Sequence, residues 1–114
     1  MKTIKISVDY SNTPGPRLKT EGKYSGEDFR EKVLKPNFNL AMENKEKILI
    51  DLDGGYGYPP SFLEEAFGGL AREYDENLVL ETFEFISEDE PSLIEEIKGY
   101  IKNARQQRKI GENK

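Results

Sequence analysis

The segment from Ile48 to Leu70 constrains the fold of this chain more strongly than any other part of the sequence. Residues 48–52, Ile-Leu-Ile-Asp-Leu, are almost continuously apolar, which is typical of a central strand covered on both faces. The next eight residues contain three glycines and two prolines, and this composition predicts a loop without regular structure. Ser61-Phe-Leu-Glu64 then matches a capping box, and the apolar residues that follow are spaced as on a helix. A buried strand, an irregular loop and a helix in direct succession indicate an α/β fold.

Three further segments are predicted to be strands. Residues 4–8 alternate apolar and polar side chains, which is the period of a strand with one buried face. Residues 17–20 are predicted as a short second strand, and residues 77–86 are rich in Leu, Val, Thr and Phe. Together with the central strand, these segments predict a small α/β sandwich, in which a mixed four-stranded sheet is flanked by helices.

Helices are predicted between and after these strands. Ser25 is a suitable N-cap for a first helix that ends near Leu34, and Pro36 then begins a second helix because proline suits a first helical turn. The pair Gly68-Gly69 lies inside the helix that follows Ser61, which suggests that another backbone packs closely there. A last helix opens at Pro91 and carries a single apolar stripe.

The length of the chain suits one compact domain. Residues 1–104 hold all of the predicted elements, whereas residues 105–114 are basic, contain almost no apolar side chains and are expected to fray. No segment approaches the roughly 20 apolar residues of a membrane-spanning helix. The first residues also lack the apolar stretch of a signal peptide. We therefore expect a cytoplasmic protein that has no membrane partner.

Two absences limit the chemistry that the chain can perform. It contains no cysteine and no histidine, which excludes cysteine-ligated zinc and both serine–histidine and cysteine–histidine catalysis. Lysine and arginine number 17 against 22 aspartates and glutamates, and the resulting net charge of −5 argues against a nucleic-acid partner. No cofactor and no metal site are expected.

Ser61 is the candidate phosphoacceptor. It stands at the predicted start of a helix, where free backbone N–H groups and the positive end of the helix dipole favour a phosphate group. The alternative is purely structural, with Ser61 capping the helix and Glu64 as its reciprocal partner. The spacing alone leaves both interpretations open.

The loop before Ser61 and the helix after it are predicted to bind a protein partner. Tyr56 and Tyr58 flank Gly57, and tyrosines in a glycine-rich loop either form a contact surface or fold back over the edge of the sheet. The candidate partner-binding residues are Asp53, Gly55, Tyr56, Tyr58, Phe62 and Glu65.

An enzymatic alternative starts from Asp51 and Asp53. The sequence Ile-Leu-Ile-Asp51-Leu-Asp53-Gly54 resembles the opening motif of haloacid-dehalogenase-type phosphatases. That resemblance implies Asp51 as nucleophile, Asp53 as acid/base and Mg²⁺ to compensate charge. The remaining alternative is that both aspartates end the strand and accept hydrogen bonds from loop N–H groups.

The chain also resembles a second family, the small bacterial STAS-like domain proteins of unknown function. Its specific parts are the Ser25-Gly-Glu-Asp-Phe-Arg30 and Ser61-Phe-Leu-Glu-Glu-Ala-Phe-Gly-Gly69 segments, within a similarity that runs from Pro16 to Leu70. The family takes its name from sulfate transporters and anti-sigma factor antagonists. The resemblance implies a mixed sheet with flanking helices and a non-catalytic, regulatory role.

The resemblance also implies a partner and a switch. In anti-sigma factor antagonists, a serine at the N-terminus of the helix after the central strand is phosphorylated by a serine kinase of the histidine-kinase-like ATPase type. The phosphorylated form then releases its partner. By position, Ser61 is similar to that serine. A homo-oligomeric assembly protein without a switch is the remaining alternative.

Overall fold

A three-stranded parallel sheet forms the centre of the molecule. The computed structural model describes residues 1–105. The strands are β1 (Lys2–Lys5), β2 (Ile48–Asp51) and β3 (Phe83–Ile86). They lie in the order β1-β2-β3, with Lys2 opposite Ile48 and Ile48 opposite Phe83. The predicted α/β architecture is therefore confirmed. The predicted mixed, four-stranded sheet is not confirmed, because residues 1–105 form three strands and all of them are parallel.

The predicted second strand over residues 17–20 is absent from this sheet. Its last residues enter a 3₁₀ turn, Lys19–Glu21. The carbonyl oxygens of Pro16 and Arg17 accept hydrogen bonds from the first two amides of the next helix, at 2.9 and 3.0 Å. Because these backbone groups already support a helix start, they are not available for a strand ladder.

β1 is shorter than its alternating pattern predicts. The strand stops at Lys5, and the next four residues form a one-turn helix, α1 (Ile6–Asp9). The carboxylate of Asp9 accepts a hydrogen bond from the Lys5 amide at 2.8 Å, which holds this turn closed. Val8, which the alternating pattern places on the buried face, is 73% exposed as a result.

β3 is likewise only the second half of its predicted segment. The first half forms helix α4 (Glu76–Thr82) instead. Asp75 begins this helix, since its carboxylate accepts a hydrogen bond from the Leu78 amide at 3.2 Å. The cap outweighs the strand preference of the residues that follow it.

The two helices predicted on either side of Pro36 are one continuous helix, α2. It consists of an α segment, a π segment and a second α segment: Gly26–Phe29, Arg30–Leu34 and Lys35–Asn44. A proline inside a regular α-helix lacks an N–H and clashes with the carbonyl four residues before it. The wider π turn, in which the Lys35 amide bonds to the Arg30 carbonyl, lies directly before Pro36 and lets the helix continue.

The remaining helices agree with the sequence. Helix α3 follows the loop after β2 and comprises Pro60–Leu63, a π segment Glu64–Gly68 and Gly69–Glu73. Helix α5 (Ser92–Lys102) is the predicted last helix. None of the helices within residues 1–105 is both long and apolar enough to cross a membrane.

The core lies between the sheet and helices α2, α3 and α5. Aromatic side chains from the helices and the sheet meet there, and the fully buried ones are Phe29, Phe38, Phe62 and Phe67. Ile48 and Ile50 of β2 are also fully buried, as expected for a central strand. Apart from Arg105, the predicted frayed tail lies outside the described residues.

Candidate functional site

The segments that follow the three strands meet at the carboxyl edge of the sheet. Because the strands are parallel, their last residues lie at one edge, where α/β proteins usually bind their ligands. The Asp53 carboxylate accepts hydrogen bonds from the amides of Glu88 and Asp89 at 3.0 and 2.9 Å. In return, the Asp89 carboxylate accepts one from the Gly54 amide at 3.0 Å. The Ser7 hydroxyl of helix α1 donates to the Asp53 carbonyl at 3.1 Å, so this helix and the two loops are tied together.

Both aspartates of the phosphatase-like motif have structural partners. The Asp51 carboxylate accepts a hydrogen bond from the Asp53 amide at 3.0 Å and lies 3.6 Å from the Lys5 ammonium. The amides of Asp89 and Glu88 lower the pKa of Asp53, which keeps this carboxyl ionised and makes it a poor proton donor near neutral pH. No group of three or more acidic side chains that could hold a metal occurs in residues 1–105. The geometry favours the structural alternative for this pair.

The two loop tyrosines take opposite orientations. Tyr58 folds back, and its hydroxyl donates to the Leu52 carbonyl at 2.9 Å. Burial, and then the negative charges of nearby aspartates, raise the pKa of Tyr58. Tyr56 points outward and is 85% exposed, although its amide is fixed by a 2.9 Å hydrogen bond to the Asn12 carbonyl. Tyr56 is therefore an exposed aromatic ring on a fixed backbone.

The start of helix α3 differs from the predicted capping box. Pro60 is the first helical residue and Pro59 is the N-cap, with the Phe62 amide bonded to the Pro59 carbonyl at 3.0 Å. Proline suits this first position because its fixed φ is already helical and its missing N–H would have no partner there. Ser61 thus lies in the first turn, half-buried, and within residues 1–105 its hydroxyl makes no hydrogen bond. The interpretation of Ser61 as a cap is wrong.

Glu64 belongs to an ionic network instead of capping the helix. Its carboxylate accepts a hydrogen bond from Arg72 at 2.6 Å and a second from Arg17. Burial opposes the ionised form, but hydrogen bonds and charge from Arg72 and Arg17 outweigh it and lower the pKa of Glu64. The loop that carries Arg17 is thereby fastened to helix α3.

Two predicted partner-binding residues face inward. Phe62 is fully buried, so it is a core residue in this structure and not a surface contact. Glu65 receives hydrogen bonds from Arg30 and Arg17. Arg30 is itself 91% buried and also donates to the Glu65 carbonyl at 2.7 Å. The remaining predicted residues, Asp53, Gly55, Tyr56 and Tyr58, lie together in the loop after β2.

One protein-family model matches this chain. The model of a STAS-like domain of unknown function (DUF4325) matches residues 25–93, which is more than half of the chain. The chain belongs to this STAS-like family. No curated protein and no solved structure matched the sequence or fold of this chain. Membership confirms the resemblance seen in the sequence and favours a regulatory, non-catalytic role for the STAS-like domain.

The two motifs that carry the family resemblance pack against each other in the STAS-like domain. The rings of Phe29 and Phe62 stack with centroids 5.6 Å apart. A Cβ at Gly26 would lie 3.1 Å from the Phe62 carbonyl carbon, so helix α2 can approach α3 this closely only at a glycine. Arg30 contributes the ionic contact with Glu65. The motif residues thus specify the contact between two helices.

The close approach predicted at Gly68-Gly69 is also found. A Cβ at Gly68 would lie 2.6 Å from a carboxylate oxygen of Glu64, which Arg72 and Arg17 hold in place, and 3.3 Å from the Tyr100 carbonyl oxygen of helix α5. At Gly69 the neighbour is a side chain, since a Cβ would contact the guanidinium of Arg30, with Cζ at 3.1 Å. The Glu64 carboxylate and the backbone of helix α5 therefore restrict the first position to glycine, and a buried arginine restricts the second.

Sequence reasoning missed one part of the carboxyl edge. A cavity of about 190 Å³ lies between the loop after β2 and the loop after β3. Leu93, Asp89 and Glu90 contribute to its lining, together with Tyr56 and Tyr58. The acidic run after the third predicted strand was the available signal, because loops that follow parallel strands come together at one edge.

Proposed function

We propose that this STAS-like domain is a non-catalytic regulatory module that binds a protein partner at the carboxyl edge of its sheet. The proposed contact surface comprises the loop from Asp53 to Ser61 and the half-buried side chains of helix α3 as far as Arg72. The observation that supports this most directly is the exposed ring of Tyr56 on a backbone fixed by hydrogen bonds. Tyrosine is enriched in protein interfaces, and a fixed loop loses little entropy on binding.

The proposed regulation is phosphorylation of Ser61 by a partner of the histidine-kinase-like ATPase type. Within the described residues its hydroxyl makes no hydrogen bond, so modification breaks none there. A phosphate adds about −1.5 to −2 charges and three acceptors, and the first turn of a helix stabilises such a group. The neighbouring Glu64 and Glu65 are already paired with arginines, which reduces their repulsion of a phosphate.

A binding experiment tests the proposed surface. A candidate kinase is titrated against the wild-type domain, the Tyr56→Ala variant and a Leu40→Ala control, by calorimetry. Leu40 is also an exposed apolar side chain but lies on helix α2, away from the loop. We expect Tyr56→Ala to weaken binding and Leu40→Ala to leave it unchanged. Equal losses in both variants, or none, would contradict the assignment of the surface.

A second experiment tests the switch. The domain is incubated with the kinase and ATP, and phosphopeptides are located by mass spectrometry. Ser92 provides an internal control, because it is an exposed serine in the first turn of helix α5. We expect phosphate on Ser61 and not on Ser92, and a change in partner affinity in a Ser61→Asp variant. Absence of phosphate together with unchanged affinity would remove the switch and leave the binding surface in place.

A further inference from the structure

The cavity at the carboxyl edge has an apolar interior and an acidic, aromatic rim. Leu52 and Leu93 line it and are both buried, whereas Tyr56, Asp89 and Glu90 line it and are exposed. None of its lining residues is a lysine or an arginine. Its volume of about 190 Å³ is below the roughly 300–1,000 Å³ of typical small-molecule sites, so it fits one side chain better than a cofactor.

The charge around this cavity is negative. The Asp89 carboxylate takes part in the exchange of hydrogen bonds with the loop after β2, which fixes its position at the rim. The charges of Asp51, Asp53 and Asp89 all act on Tyr58, another lining residue, and raise its pKa in addition to the effect of burial. A cationic group entering the cavity would therefore meet a favourable field.

We propose that this cavity receives an arginine side chain from the protein partner. The inference rests on the proposed function, since it names the chemistry by which that partner is recognised. The aliphatic stem of the arginine lies against Leu52 and Leu93, its guanidinium stacks on the Tyr56 ring, and Glu90 supplies the opposite charge. Arginine satisfies this combination better than lysine, because its planar and weakly hydrated head stacks on aromatic rings.

Other occupants fit the lining less well. An acidic or phosphorylated side chain would be repelled by Asp89 and Glu90. A purely apolar side chain would contact Leu52 and Leu93 but would gain nothing from the carboxylates at the rim. A second copy of this chain is acidic overall, with a net charge of −5, which opposes its approach to an acidic rim.

Titration of the ¹⁵N-labelled domain with the tripeptide acetyl-Gly-Arg-Gly-amide tests the inference. The neutral isostere acetyl-Gly-citrulline-Gly-amide and the lysine tripeptide are the comparison ligands. We expect the arginine peptide to shift the amide resonances of Tyr56, Glu90 and Leu93 at millimolar concentrations, and the citrulline peptide to bind more weakly. The affinity should fall as salt is raised, because the rim attraction is electrostatic.

Variants localise the effect. Tyr56→Ala should weaken arginine-peptide binding about two- to fivefold, the range of an exposed cation–π contact. Glu90→Gln should also weaken it, whereas Glu95→Gln removes the same charge from an exposed position outside the cavity and should have little effect. The unchanged fold of each variant is checked by its remaining amide resonances.

Several results would overturn the inference. Equal binding of the arginine and citrulline peptides, stronger binding of the lysine peptide, shifts that map elsewhere, or no shifts at all would each do so. Failure of the arginine pocket can be distinguished from failure of the proposed function. A partner whose binding is lost in Tyr56→Ala, but not after replacement of its arginines, would support the binding surface and refute the arginine pocket.

Discussion

Replacement of Gly69 by alanine tests the contact between helices α2 and α3 directly. Gly69 is in regular helical conformation, so its neighbours and not its backbone angles decide the outcome. A Cβ at this position would contact the guanidinium of Arg30, lying 3.1 Å from Cζ and 3.2 Å from Cδ. Arg30 cannot move away cheaply because it is 91% buried and donates hydrogen bonds to both the carbonyl and the carboxylate of Glu65.

The magnitude follows from two opposing effects. Alanine is better than glycine inside a helix by about 1 kcal/mol. Displacement of the Arg30 head weakens hydrogen bonds to a charged group, each of which contributes about 1.5–3 kcal/mol. We therefore expect Gly69→Ala to lower the free energy of unfolding by about 1–3 kcal/mol.

Gly99→Ala is the matched control. Gly99 also lies inside a helix, but nothing is within 4 Å of a Cβ placed there. This variant should gain up to about 1 kcal/mol of stability from helix propensity alone. Urea unfolding followed by circular dichroism measures both variants, and equal m-values show that the same surface is exposed.

A double variant separates the contact from other causes. In an Arg30→Ala background the obstacle is gone, so Gly69→Ala should become neutral or stabilising. If Gly69→Ala is as stable as the wild type, or if its cost persists without Arg30, then the contact with this arginine does not explain the glycine.

Three further predictions concern the core, the site and the response to acid. Phe62→Ala should cost about 3–5 kcal/mol of unfolding free energy because it empties a buried site, whereas Tyr56→Ala should change it by less than about 0.5 kcal/mol; chemical denaturation measures both. Asp53→Ala should speed hydrogen exchange of the amides in the turn at 87–90, since their acceptor is lost. Burial raises the pKa of Glu64, but its two arginine partners lower it by more than burial raises it. The folded-state pKa is therefore below the unfolded value near 4.3. The stability from Glu64 is therefore complete above that value and is lost as the pH falls through the folded-state pKa, and Glu64→Gln should flatten the acid side of a stability–pH profile.

Local signals were sufficient for the centre of the fold. The apolar run of β2, the glycine- and proline-rich loop and helix α3 were all predicted where they occur, because each depends on neighbouring residues. The segment at 17–20 was predicted wrongly because the Arg17 carbonyl bonds to the start of helix α2 and the Leu18 carbonyl bonds to the 3₁₀ turn. Residues 76–82 were predicted wrongly because one capping aspartate outweighs strand propensity.

In the candidate site, too, features set by neighbouring residues could be predicted and features set by distant residues could not. Its loop was found from composition, but the opposite orientations of Tyr56 and Tyr58 depend on whether a carbonyl lies within reach of each hydroxyl, which sequence does not reveal. The ion pair between Arg17 and Glu64 joins residues 47 positions apart, so no local pattern indicates it. Phe62 looked available to a partner only because its burial is created by helix α2.

The packing of the two motif segments affects how related chains should be compared. Phe29, Arg30 and Phe62 hold helices α2 and α3 together, so chains that share these residues should share the docked helices without sharing a binding preference. The ring of Tyr56 supports nothing inside the domain, so natural selection can exchange it without cost to folding. Differences in partner preference among such proteins should therefore depend on the residue at position 56 and on the acidic residues around it, because the fold does not constrain that position.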